Sequence, residues 1–440
     1  MKRWKRILTA VLTGTMTAAL AAAAPVWASV DLEAVYGIST NDIQGWPKGP
    51  EISSDTGIIM EAETGVVLYD KGADELRYPA SITKLMTLLV AVENVGLDET
   101  VTFTETGVRD VTPDSGNIGM QLGETMSMRD CVYAMIIYSA NEVAAQIAEY
   151  VGGTEQDFID MMNERAAEIG CTNTHFANAS GLPDPNQYTT ARDMALIFRE
   201  GLKNSTFREI VGTPTYIIKP TNMNSSERKM HTHHPLFAEE APLYYEGCIG
   251  GKTGMTNDAG HTLVTGVERD GVTYIAVVMR ASELSPACLD SRAMFDYAYQ
   301  NFRKEEFEGS KVILPNGTNA DALTSKVENI KGKDMECFYL SDHLVGMGSL
   351  VLPSPTPEVQ DEVEEIGDAQ DEPLYRDAEE EKDSADNGQE KKSLSDTAKL
   401  LFAVMGVMAA VLVVLLIALS VKKRKQRKYK QKRGQRHGKN

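Results

Sequence analysis

Apolar residues alternate with polar ones in some stretches of this chain and recur every three to four positions in others, and the two rhythms divide it into strands and helices. Gly57-Ile-Ile-Met-Glu-Ala62 and Gly65-Val-Val-Leu-Tyr69, flanking Glu63-Thr64, predict a hairpin. Ser81 to Glu93, rich in Leu, Met and Ala and preceded by Pro79 and Ala80, reads as a helix. So do Met128 to Gly152 and Gln156 to Gly170, with Gly153 and Thr154 between them as stop and cap. His261 to Glu268 and Val272 to Met279 then read as strands joined by an Arg269-Asp270-Gly271 turn. Arg292 to Arg303 follows as a helix offering Met294, Phe295, Tyr297 and Phe302 to the sheet. A sheet that takes strands from both ends of a mostly helical stretch predicts an α/β (α+β) domain over residues 35-304. Short apolar runs such as Val312-Ile-Leu314 and Leu344 to Leu352 predict only a small β appendage over 305-352.

The ends of the chain follow a different pattern. Lys2, Arg3, Lys5 and Arg6 precede an apolar stretch from Ile7 to Ala23 and small residues at Val26-Trp27-Ala28, the layout of a secretory signal peptide over 1-28. Leu400 to Leu419 carries no charge and would make about 30 Å of helix, so a transmembrane helix is expected over 398-421. The basic run over 422-440 then assigns the tail to the cytoplasm and the bulk of the chain to the outside. Beside a membrane span, that run argues for orientation and against nucleic-acid binding.

The overall charge of -19 conceals four cations at the N-terminus and eleven after residue 420, without which the remainder carries -34. Fifteen Asp or Glu residues between Glu358 and Glu390 face only Arg376 and Lys382, which predicts a disordered, self-repelling linker over 353-393 entered through Pro353-Ser-Pro-Thr-Pro357. Five widely spaced cysteines without a C-x-x-C pair indicate neither a disulfide framework nor a metal site.

Three strings carry chemistry: Ser81-Ile-Thr-Lys84, Ser139-Ala-Asn141 and Lys252-Thr-Gly254. A serine hydroxyl needs a base and a place for negative charge to develop. Three residues apart on a helix, Lys84 reaches back to Ser81, and burial together with the cation of Lys252 would lower its pKa enough for it to act as that base. Ser81 also fits a helix N-cap. Ser139 can relay a proton to a leaving amine, and Asn141 can bond a substrate carbonyl and steady Lys84. Lys252 and Thr253 can hold a substrate carboxylate, while Gly254 would let a substrate backbone lie along an edge strand. The Met255 N-H is the expected second oxyanion donor beside that of Ser81. Each string alone is weak. Ser-x-x-Lys recurs at Ser226 and Ser420, and Ser115-Gly-Asn117 repeats Ser-x-Asn on what reads as a mobile loop.

The ordered triple resembles that of the D-alanyl-D-alanine carboxypeptidases among the low-molecular-weight penicillin-binding proteins. The resemblance covers about residues 35 to 304 and includes Pro79 to Thr87, Phe158 to Gly170, Phe176-Ala-Asn-Ala-Ser-Gly-Leu182 and Thr189-Thr-Ala-Arg-Asp193. It implies a β-lactamase/transpeptidase-like fold, an antiparallel sheet flanked by helices plus a mainly helical lobe with the site in the cleft between them. It also implies that acyl-Ser81 chemistry removes the terminal D-alanine from peptidoglycan stem peptides, with β-lactam antibiotics acylating the same serine. No cofactor or metal is implied. Two departures stand out: the appendage is short, and His231-Thr-His-His234 precedes Lys252 where relatives usually have Asn-rich residues. A serine β-lactamase shares the triple, but no Glu occurs between Glu168 and Glu200 to serve as its deacylation base. A catalytically silent wall-binding protein would have no need of Lys84.

Overall fold

The computed structural model describes residues 30-111, 115-330 and 332-349. The expected signal peptide, acidic linker, transmembrane helix and basic tail lie outside the described residues. Among the described residues no helix is long and apolar enough to cross a membrane.

The central sheet is antiparallel, in the order β2-β1-β9-β8-β7. Its first hairpin is β1 (Thr56–Glu61) and β2 (Val67–Lys71). Between that hairpin and the rest of the sheet the chain forms α1 (Lys84–Asn94), a ribbon of β3 (Thr100–Thr102) and β4 (Thr125–Ser127), α2 (Met128–Ile137), α3 (Asn141–Gly152), α4 (Glu155–Ile169), α5 (Ala191–Gly201) and α6 (Ser205–Val211). A second ribbon, β5 (Thr215–Ile218) with β6 (Arg228–His231), follows. The sheet is completed by β7 (Cys248–Thr256), β8 (Gly260–Arg269) and β9 (Val272–Ala281), with β7 at its edge. The predicted Asp270-Gly271 turn has both residues at positive φ, 52° and 75°, as a tight hairpin of this hand requires.

The strands are apolar on both faces because each face covers a different core. Ile58, Met60, Ile275, Val277 and Met279 enter the core shared with the helical lobe. Ile59, Tyr274, Ala276 and Val278, the residues between them, enter a second core with Met294, Phe295 and Tyr297 of α7 (Leu284–Asn301). A stripe on α7 thus covers one face of the sheet, as expected. The helix begins eight residues earlier than Arg292 and stops at Asn301, so Phe302 belongs to a strand.

That strand opens the segment expected to be a small β appendage. A second antiparallel sheet, in the order β10-β11-β14-β13-β12, starts directly at the end of α7 with β10 (Phe302–Phe307) and β11 (Ser310–Pro315), and continues as β12 (Thr324–Ile330), β13 (Lys333–Leu340) and β14 (His343–Ser349). It has five strands, more than the small appendage expected from its few apolar runs. Few apolar residues suffice because Val312, Ile313, Leu314, Phe338 and Val345 share the second core with α7. The junction is polar as well. Lys304 Nζ donates to Glu61 Oε1 at 2.8 Å, and Glu61 is wholly buried. Replacing Lys304 by Met would leave that carboxylate without its cation, so Lys304→Met should lower unfolding stability by about 3 kcal/mol in a denaturant titration. Glu63→Gln, at a half-exposed partner of the same lysine, should cost less than about 1 kcal/mol.

Candidate active site

The site is built around a turn that is not the helix start the sequence suggested. Ala80–Thr83 forms a 3-10 turn, and α1 begins only at Lys84. Ser81 is therefore not an N-cap, and no side chain caps either element. Ala80 has φ 50°, a left-handed conformation that costs a non-glycine residue on the order of 1 kcal/mol. The surroundings hold it there. Thr262 Oγ1 donates to Pro79 O at 2.9 Å and Thr83 Oγ1 to Ala80 O at 2.8 Å. A Cβ on Gly181 would lie 1.9 Å from Ala80 O, and one on Gly254 would lie 2.8 Å from Ser81 N. Gly254 is thus required by the approach of β7 to the serine turn, whatever a substrate does along the strand.

Lys84, on the first turn of α1, is wholly buried. Its Nζ lies 3.0 Å from Ser81 Oγ, 2.6 Å from Asn141 Oδ1 and 2.5 Å from Ser180 O. Burial drives its pKa well below the usual lysine value, and Lys252 adds to this, while Glu142 and Asp110 oppose it. A neutral amine has two N-H donors and one lone pair. With Asn141 Oδ1 and Ser180 O able only to accept, the lone pair is left facing the Ser81 hydroxyl.

Ser139 lies half-buried in the link between α2 and α3, at φ 62°, with no hydrogen-bond partner for its Oγ among the described residues. The left-handed kink there turns the chain so that Asn141 starts α3 facing Lys84. Asn141 Nδ2 donates to Ser115 Oγ at 2.8 Å, and its backbone N-H donates to Gly116 O at 2.8 Å. The first contact orients the amide, aiming Oδ1 at Lys84. Ser115-Gly-Asn117, expected to be a mobile loop, is therefore part of the support. A Cβ on Gly116 would lie 2.9 Å from Ser139 O, so the close fit needs glycine. Buried Glu142 ties the same loop down by accepting the Ile118 N-H at 2.7 Å, and burial raises its pKa.

Lys252, Thr253, Gly254 and Met255 lie on β7 at the sheet edge, as expected. Lys252 is buried, donates to Thr253 O at 2.9 Å, and burial lowers its pKa to about 7. Thr253 is half-buried and Met255 is exposed. The three histidines separate. His231 is exposed, with Nδ1 3.1 Å from Thr215 Oγ1. His234 is buried, with Nε2 3.0 Å from Thr265 Oγ1, and burial lowers its pKa to about 4. His233 packs on Tyr138 with ring centroids 5.4 Å apart, and burial and Lys252 hold its pKa below the ordinary value. Among the described residues no group of three or more His, Cys, Asp or Glu is placed to hold a metal ion. All five cysteines are free thiols.

The three strings therefore converge, and the Ser-x-x-Lys decoy at Ser226 to Lys229 lies instead at the start of β6. Sequence reasoning missed the Ser180 carbonyl and set Ser115 aside. A backbone acceptor has no residue signature, and only the family-like run Phe176 to Leu182 pointed at that segment.

Lys252 also links the site to stability. Its folded pKa of about 7 lies below the unfolded value near 10.4, so above pH 7 the unfolded state binds more protons and stability rises with pH across that window. Between pH 7 and 8.5 the wild-type unfolding free energy should gain up to about 1.4 kcal/mol per pH unit over that of Lys252→Met. Parallel denaturation curves for the two proteins check this.

A family model described as D-alanyl-D-alanine carboxypeptidase matches residues 43–283. The chain is 28% identical over 292 residues to the D-alanyl-D-alanine carboxypeptidase DacF of Bacillus subtilis, covering 64% of this chain and 73% of that protein. It is 30% identical over 288 residues to DacC of Escherichia coli, covering 64% and 68%. Penicillin binding protein 6B from Escherichia coli superposes with a TM-score of 0.58 at 24% identity, over 71% of this chain and 99% of that one, which shows a shared fold. With the family match spanning more than half of its length, the chain belongs to the D-alanyl-D-alanine carboxypeptidase family.

Proposed function

We propose that this protein removes the terminal D-alanine from peptidoglycan stem peptides through an acyl-Ser81 intermediate, and that β-lactams acylate the same residue. The observation that carries this reading is the buried Lys84 amine set between Ser81 Oγ and Asn141 Oδ1, with no carboxylate among its hydrogen-bond partners. Neutral Lys84 takes the Ser81 proton as Oγ attacks the penultimate carbonyl. The oxyanion is met by the N-H groups of Ser81 and Met255. As the C-N bond breaks, the proton returns through Ser139 to the departing amine, and D-alanine leaves. Water then attacks the ester carbonyl, giving its proton to Lys84, and Lys84 returns that proton to Ser81 Oγ as the acyl-oxygen bond breaks and the serine is freed.

Lys252 and Thr253 are assigned to the terminal carboxylate, and Gly254 to the wall of the cleft. A carboxylate beside Lys252 would favour its charged form, so substrate binding and protonation of Lys252 reinforce each other. The class A β-lactamase pattern of a Glu between residues 168 and 200 that holds a deacylating water does not occur in this chain. Buried Glu142, near the site, accepts the Ile118 N-H through Oε1. We also infer, from the segments at 1-28 and 398-440, an exported catalytic domain tethered by a single C-terminal membrane span with its tail in the cytoplasm.

Two measurements test this reading. Free D-alanine released from a peptide ending in D-Ala-D-Ala should fall at least about a thousandfold in Ser81→Ala and in Lys84→Met; equal release by wild type and Ser81→Ala would overturn it. Truncation after residue 393 should leave that release intact while moving the protein from the membrane fraction to the soluble fraction.

The pH profile provides a further check. Acylation by penicillin should rise with pH as Lys84 loses its proton, with a midpoint well below the ordinary lysine value. It should fall again where Lys252 deprotonates, above about pH 7 in the free enzyme. A rising limb near pH 10 would rule out Lys84 as the base.

A further inference from the structure

The second sheet ends in a strand that stands clear of the rest of the domain. β12 is the outermost strand of that sheet, and Thr324 to Asn329 are all exposed, those facing one side and those facing the other alike. Such an edge offers unused main-chain N-H and C=O groups to another strand. Which residues offer them follows from the hairpin. β12 and β13 pair from Ile330 with Lys333 back to Thr324 with Tyr339. Only two residues separate Ile330 from Lys333, and the closing pair of so short a hairpin is a hydrogen-bonded one. Counting back in twos, Ile330, Glu328, Lys326 and Thr324 bond inward to β13, while Asn329, Val327 and Ser325 turn their N-H and C=O groups outward.

The outward row is complementary to itself about Val327. Two copies laid antiparallel about a two-fold axis at that residue let Val327 exchange both main-chain bonds with its own counterpart, and Ser325 with Asn329 on either side. The same register sets Lys326 of each copy opposite Glu328 of the other. Both charges are held on one face of the strand by β13: Tyr339 OH donates to Glu328 Oε1 at 2.7 Å, and Lys326 Nζ lies 4.9 Å from the Tyr339 ring centroid. Neither has an ion-pair partner among the described residues. On the other face Val327 is 56% exposed, and in this register it packs against itself across the axis. A slip of two residues in either direction brings Lys326 against Lys326 or Glu328 against Glu328, so the charges select one register.

We propose that β12 is a docking edge for a second copy of this chain, joining two five-stranded sheets into one across a two-fold axis at Val327. Lys326 and Glu328 have two effects there: they complete the pairing with an identical strand and discourage pairing with strands of other sequence. A seven-residue edge buries less than the roughly 1,200 Å² of a stable free-standing interface. The pairing is therefore weak between free molecules and gains from confinement of the copies to one membrane, as the span inferred at 398-421 would provide.

The test uses the full-length chain in lipid vesicles, with Val327→Cys as reporter and a short bismaleimide as cross-linker. The unsubstituted chain sets the background, because four of its five cysteines are buried and Cys248 is half-buried. Val327→Cys should give a cross-linked dimer well above that background. Adding Lys326→Glu should cut the yield about fivefold or more, and adding Glu328→Lys to that chain should restore it. Thermal melting shows that each variant keeps its fold. Flotation with the vesicles reports the membrane span separately, and a chain that does not float is carried through the same series in concentrated solution. A yield at background, a yield unchanged by Lys326→Glu, or no recovery in the exchanged pair overturns the docking edge.

Discussion

Burying the amine of Lys84 is the constraint on which the rest of the site depends. A lysine taken out of water without a carboxylate beside it must give up its proton or unfold its surroundings, because the charged form loses its hydration. The chain resolves this by surrounding the nitrogen with groups that carry no charge: two acceptors, an amide oxygen from α3 and a carbonyl from the loop after α4, and the serine hydroxyl, which faces the lone pair. A carboxylate in place of the Asn141 amide would stabilise the ammonium and hold the proton on Lys84. The composition of the shell is thus as much a part of the chemistry as the lysine.

Holding that shell requires backbone that ordinary helices and strands do not provide. Ala80 and Ser139 adopt left-handed conformations without being glycine, and each supports one of the facing walls of the cleft. In both cases the strained residue is met by glycine from elsewhere in the chain, Gly181 at Ala80 and Gly116 at Ser139, where a Cβ would collide with the carbonyl of the strained residue. The strain is local, on the order of 1 to 3 kcal/mol at each position, and is opposed by packing of the helical lobe against one face of the sheet. Strain at these two places is what lets Ser81 and Asn141 face one lysine from different elements.

The parts visible in the sequence and the parts that were not divide along a physical line. Short apolar runs in β1, β8 and β9 bounded by turn residues announced the sheet because such runs are local, and Asp270-Gly271 announced its turn. The residues of the three strings were visible because Ser-x-x-Lys, Ser-x-Asn and Lys-Thr-Gly are distinctive side chains at recognisable spacings. The rest depends on contacts between distant parts of the chain. Lys84 meets the Ser180 carbonyl 96 positions away, and Gly254 meets the serine turn from the far side of the helical lobe. Ser115 looked like loop because Pro113, Asp114 and Gly116 flank it, and loops announce their backbone chemistry but not what they pack against. The second sheet looked smaller than it is because much of its core is supplied by α7 and the central sheet, so its own apolar count understated it.

The two buried lysines influence each other, and the direction matters for catalysis. Each cation disfavours the other, so in the empty site Lys252 helps keep Lys84 neutral. A substrate carboxylate settling against Lys252 offsets that repulsion and, being negative itself, raises the proton affinity of both amines. If Lys84 is the base proposed above, it waits without its proton and becomes a stronger base once a carboxylate-bearing peptide is in place. An amide-terminated peptide would bring no such charge. On the proposed reading a preference for a free C-terminus would act on the chemical step as well as on binding, because Lys252 and Lys84 share one buried electrostatic environment.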